Sequence, residues 1–111
     1  MPAHEHVSKD QFRSVYHGTS SSAWEEIQQS GLHPSVLNDT VTERPSVARS
    51  FANDWDNPEM GDEPTVIRAD IPKRVFHGYV DVKAGGPNNI DRSHPLRRTI
   101  PPKYLREHTG R

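Results

Sequence analysis

Hydrophobic positions come in short bursts along this chain, and the spacing within each burst predicts its element. In FRSVYH, Phe12, Val15 and Tyr16 are followed closely by Gly18, which suits a short strand at 12–17. Ser22 stands three residues before Glu25, the spacing of a capping box, and predicts a helix from Ala23. Ala23, Trp24 and Ile27 share one face of it, and Gly31 is placed to close it in a left-handed cap. Leu32 then turns back toward the core. A second helix is signalled by TERPSVARSFAND, with Thr42 as cap, Glu43 at the positive end and Pro45 in the first turn. Val47, Ala48, Phe51 and Ala52 recur at i, i+1, i+4 and i+5, the spacing of a buried stripe.

The second half favours strands. TVIRADI, 65–71, alternates Thr65, Ile67, Ala69 and Ile71 on one side and stops at Pro72. RVFHGYVDV, 74–82, reads as a strand, and LRRTI, 96–100, as a last short one ended by Pro101 and Pro102. Residues 53–64 and 84–95 are polar, turn-rich loops, and 1–10 form a flexible arm ahead of a single domain over 11–108. Strand, helix, helix, then strands is the order of an α+β fold.

Composition narrows the chemistry. Only 31% of the 111 residues are apolar, or roughly 37% with the seven glycines, below the usual 45–50%. The core must be modest. Fourteen Lys+Arg against fifteen Asp+Glu leave the chain near neutral, which argues against a general nucleic-acid coat. With no cysteine, disulfides, thiol chemistry and cysteine-rich zinc sites are excluded. No apolar run approaches the roughly 20 residues a membrane span needs, and MPAHEHVSKD lacks a signal-peptide core. A soluble, cytoplasmic protein without membrane contact is the expectation.

The stretch VYHGTSSSAWEEIQQSGL sets a histidine and a glycine where a strand gives way to a helix. Turn chemistry accounts for it in one reading: Gly18 makes the corner, the serines cap, and His17 ends the strand satisfied. In the other, a glycine at a strand end lets a ligand reach bare backbone N–H and C=O groups. His17 then adds a directional hydrogen bond and Thr19 a hydroxyl. No glycine run or lysine accompanies them, so an amide with sugar hydroxyls suits the corner better than bare phosphate.

YHGT with the following AWEEIQQ and SGL resembles the first motif of the ADP-ribosyltransferase fold, especially its tRNA 2′-phosphotransferase and rifampicin ADP-ribosyltransferase branches. VTERPSVARSFA is similar to the threonine, alanine, phenylalanine-alanine segment of small bacterial members. LRRTIPPKYL resembles their C-terminal strand running into Ile-Pro-Pro. The resemblance implies a split β-sandwich with two short helices that holds NAD as substrate. It implies His17 on the adenosine-side ribose, the Gly18 backbone on the nicotinamide carboxamide, Thr19 at the same end and Phe51 walling the pocket. Thr40 falls where the family places an aromatic residue that stacks on nicotinamide, a task Tyr16, Trp55 or Tyr79 could take over. The acidic residue that family members use to stabilise the departing ribose cation falls at Ser93 or His94, with Asp91 close by.

The resemblance implies an NAD-dependent ADP-ribosyltransferase whose acceptor is a protein, nucleic acid or small molecule. The departures at Thr40 and His94 support a second reading, a module that binds NAD, ADP-ribose or a protein without turnover. A third is RNA 2′-phosphotransfer, opposed by the balanced charge. Elsewhere, His4-Glu5-His6 has metal-ligand spacing but no third ligand nearby. Arg92, Arg97 and Arg98 could meet a phosphate, and the acidic Asp54–Glu63 loop with Trp55 could offer a protein surface.

Overall fold

The computed structural model describes residues 11–34, 40–54, 58–82 and 94–109. They form a mixed α+β domain. Strand β1 (Phe12–Ser20) runs directly into helix α1 (Ser21–Ser30), followed by β2 (Thr40–Val41) and α2 (Pro45–Asn53). Then come β3 (Pro64–Pro72), α3 (Phe76–Tyr79), β4 (His94–Pro95) and β5 (Leu105–Glu107). One sheet has the order β1-β3-β5 and a smaller one pairs β2 with β4. The arm at 1–10, the histidine pair within it, Trp55 and Arg92 lie outside the described residues.

Strands β1 and β3 are antiparallel along their whole length, from Phe12↔Pro72 to Ser20↔Pro64. Period-two alternation divides their side chains between two faces. Val15, Ala69 and Ile71 go to the larger core, with Leu32, Val41, Phe76, Val80, Leu96 and Ile100. Tyr16 and Val66 go to the other face and meet Ala48 and Ala52 of α2.

Gly18 belongs to that second face, and it decides how α2 sits. A Cβ there would lie 2.0 Å from the Ala48 carbonyl oxygen and 2.6 Å from the Ala52 nitrogen. The helix backbone therefore rests on the strand with no side chain between them, and only its alanine ridge fits. The expected four-residue buried stripe narrows accordingly. Ala48 and Ala52 are fully buried, whereas Phe51 is 43% exposed.

Local hydrogen bonding moves two helix starts. Because β1 continues to Ser20, that residue caps α1, its Oγ accepting from the Ala23 N–H at 3.2 Å. Ser22, expected as the cap, gives its own N–H to Asp62 Oδ1 at 3.1 Å. Thr42 accepts from the Arg44 N–H ahead of α2, and Pro45 opens the helix as expected. At the far end of α1, Gly31 has φ +94°, and its N–H meets the Ile27 carbonyl at 2.8 Å.

Two expected strands are not strands. Residues 73–75 form a 3₁₀ turn and 76–79 a single helical turn, closed by Val80 N–H to the Phe76 carbonyl at 2.9 Å. Val75, Phe76, Tyr79 and Val80 repeat the i, i+1, i+4, i+5 spacing of α2, so the period there is helical. Residues 96–100 supply only single bridges, Leu96 to Val80 and Ile100 to Leu32. The third strand of the large sheet comes after Ile-Pro-Pro, at Leu105–Glu107.

Gly18→Ala should cost about 3 kcal/mol, the upper range for forcing volume into a packed contact. Gly78→Ala, where an added Cβ meets nothing within 4 Å, should be neutral or stabilising by about 0.4–1 kcal/mol. Urea denaturation of the two variants against wild type checks the contrast.

Candidate functional site

The strand-to-helix corner is where β1 parts from β2. Tyr16 and Thr42 exchange both backbone hydrogen bonds, at 2.7 and 2.8 Å. Continued in the same register, that pairing would set Gly18 against Thr40, but the Tyr16↔Thr42 bridge is isolated and goes no further. The Thr40 carbonyl is met instead by His17 Nδ1 at 2.8 Å. A carbonyl only accepts, so Nδ1 carries the hydrogen. The imidazole thus takes the carbonyl that a continued ladder would have given to the Gly18 amide.

Register also fixes where the Gly18 main chain points. On its β3 side Gly18 faces Val66, whose carbonyl accepts from His108 N–H across the sheet. Gly18↔Val66 is therefore a non-hydrogen-bonded pair, and the Gly18 N–H and C=O project toward the β2 edge. His17, Thr19 and Ser20 at this corner are all buried, with 7–8% exposure.

The structure brings His17, Gly18, Thr19 and Thr40 together at one corner. Phe51 stands on the turn of α2 that Gly18 admits; with Ser46, Val47 and Ser50 it lines a shallow pocket of about 400 Å³. His94 sits across the small sheet, paired with Val41. It is 1% exposed, and its Nε2 lies 3.4 Å from Glu43 Oε1. Glu43 in turn accepts from Arg13 at 2.7 Å. The Arg13 hydrogen bond and charge, with His94 adding to them, hold the Glu43 carboxyl below its ordinary range despite partial burial. Asp91 lies outside the described residues.

The other candidates separate. Arg97 pairs with Asp81 at 3.0 Å, while Arg98 stacks 4.4 Å from the Tyr79 ring centre, so each has its own partner. Tyr79 meets Tyr104 edge-on, and Tyr16 meets His108 edge-on. In the 54–63 segment Asp62 accepts from Ser21 and Ser22, tying that loop to the start of α1, and Met60 is 75% exposed. Among the described residues no group of His, Asp and Glu could hold a metal, and no helix is long and apolar enough to cross a membrane.

Sequence reasoning missed a second polar centre. Asp70 on β3 accepts from Ser14 Oγ at 2.5 Å and Arg68 Nε at 2.8 Å, and both Nε and Nη2 of Arg106 donate to its other oxygen. Its side chain is only 14% exposed. Burial pushes the carboxyl up, but the bonds from Ser14, Arg106 and Arg68 outweigh it and hold the group below its ordinary range. Ser14, Arg68 and Asp70 share the polar positions of two alternating strands. That was the available signal, but pairing Ser14 with Asp70 requires the β1–β3 register.

The chain matches no family model, and neither the curated proteins nor the solved structures give a match.

A carboxyl depressed on folding contributes stability above its unfolded pKa, and that contribution is lost as pH falls through the folded value. Wild type should therefore lose stability on acidification partly through Asp70. Asp70→Asn should cost about 1–3 kcal/mol at neutral pH and show a flatter acid limb. Denaturation midpoints measured from neutral pH down to the carboxylate range check both.

Proposed function

We propose that the His17–Gly18–Thr19 corner binds NAD and that the protein is an ADP-ribosyltransferase-fold enzyme. The observation that carries this reading is the break between β1 and β2. Where the ladder stops, one N–H and one C=O of a glycine project side by side toward the vacated edge, the donor–acceptor pair that complements a primary carboxamide. Gly18 is buried, so the carboxamide enters where β2 departs from β1. His17 lies next to it for a ribose hydroxyl, and Thr19 and Thr40 border the same corner; Phe51, turned outward on α2 beside Ser46, Val47 and Ser50, takes no part in it. The chemistry is dissociative: the nicotinamide–ribose bond breaks, positive charge develops on the ribose, and the enzyme must stabilise it electrostatically. ADP-ribose then passes to a protein, nucleic acid or small-molecule acceptor.

A second reading keeps the NAD or ADP-ribose site and drops turnover. It is favoured by His94, which is buried against Glu43 rather than presented to a ligand, and by Thr40 in place of a stacking ring.

Calorimetric titration with NAD should give a saturable isotherm for wild type and at least about tenfold weaker binding for His17→Ala, the effect of losing a directional hydrogen bond and its wedge. No heat with wild type would remove both readings. Where NAD binds, nicotinamide release measured by chromatography separates them: release supports the transferase, and its absence with every acceptor class supports the binding module.

A further inference from the structure

Among the described residues, no helix covers the even-numbered face of the large sheet beyond the edge of α2. Its floor there is Asp70 with the arginines that converge on it, and the 103–106 segment forms one wall, enclosing about 660 Å³. That volume is in the range of small-molecule sites. Phe12, Tyr104 and Leu105 give it an apolar side, and Arg68, Arg106 and Lys103 a basic one.

The arrangement of charge is specific. Asp70 is saturated by Ser14, Arg68 and Arg106, so it is not an acceptor for a ligand. What it does is hold two guanidinium groups at one point, against their mutual repulsion. Asp70 engages only Nε of Arg68, and it leaves Nη1 of Arg106 unused. Planar N–H forks fixed in advance lose little freedom when they grip an oxyanion bidentately. Lys103, its ammonium 5.2 Å from the Tyr104 ring centre, lines the same pocket, so three cations border it with one carboxylate, an excess of two positive charges. A phosphate monoester carries about −1.5 to −2 at neutral pH, a closer match than a single carboxylate.

We propose that this pocket is a second ligand site, taking an organic phosphate of nucleotide size. The phosphate sits on the Arg68–Arg106 pair with Lys103 beside it, and the flat ring lies against Phe12 and Tyr104. Asp70 is a positioning residue for the arginines. The site is independent of the NAD reading, since neither His17 nor Gly18 lines it.

AMP and inorganic phosphate serve as probes, titrated calorimetrically into wild type, Arg106→Gln, Phe12→Ala and His17→Ala. Arg106 has a 65% exposed side chain, so its replacement should leave the fold intact, which circular dichroism checks independently. AMP should bind wild type and should still bind His17→Ala, in which only a contribution from the strand-to-helix corner is removed. It should weaken at least about tenfold in Arg106→Gln, the loss expected for a charge-assisted hydrogen bond, and should also weaken in Phe12→Ala. Inorganic phosphate should bind more weakly than AMP and be insensitive to Phe12→Ala. The proposal is overturned if AMP does not bind, if Arg106→Gln leaves binding unchanged, or if only His17→Ala weakens it. Phosphate binding as tightly as AMP would overturn the nucleotide-sized ligand.

Discussion

The close approach of α2 to β1 at Gly18 is the constraint on which the rest of the domain depends. A helix normally stands off a sheet by the length of its side chains. Here its backbone meets the strand backbone, since any Cβ at 18 would overlap the Ala48 carbonyl. That approach admits only alanine on the inner ridge, turns Phe51 outward, and covers one half of the sheet face while leaving the Asp70 half open. The glycine thus has a sufficient packing reason to be there. The proposed ligand role does not compete with that reason, because packing engages the missing side chain and the proposal concerns the main chain.

The small second sheet follows from one side-chain substitution for a backbone bond. β2 lies along β1 for a single bridge, and the His17 ring then takes the Thr40 carbonyl that a continued ladder would have assigned to Gly18. An edge left unpaired inside a protein normally carries an unsatisfied cost, and such positions are where ligands substitute for strands. The two polar centres use opposite logic. At His17 a strand edge is opened. At Asp70 a carboxylate gathers charges from β1, β3 and β5 and ties them together.

The α+β class, the positions of β1 and β3, and the two longer helices were legible because each rests on local spacing. β3 falls within one residue of expectation at each end since its alternation is uninterrupted. Errors arose where two rules competed. Ser22 had capping-box spacing, but the strand kept its hydrogen bonds through Ser20 and left the cap there. Residues 75–80 are rich in β-formers, yet their apolar positions follow the helical period, and Phe76 anchors a turn in the core. Ile-Pro-Pro suggested the end of the last strand and instead precedes it. The candidate residues that sit on one strand, His17 to Thr19, are adjacent in the sequence and so could be nominated from it. The His17–Thr40 contact, the Glu43–His94 contact and the Asp70 centre span 23 to 56 positions, and no local pattern encodes them.

The central claim is that, among the described residues, no strand pairs with the Gly18 main chain on its β2 side, where His17 takes the Thr40 carbonyl, and that this main chain receives an amide-bearing ligand. Residue-resolved amide hydrogen exchange of the Gly18 N–H, with and without nicotinamide, tests it most directly. The account predicts faster exchange at Gly18 than at Tyr16, whose N–H is held by Thr42, and a marked slowing at Gly18 alone on adding nicotinamide. Equal protection at Gly18 and Tyr16 in the free protein, unchanged by nicotinamide, would mean that the ladder continues through Thr40 and would contradict the account.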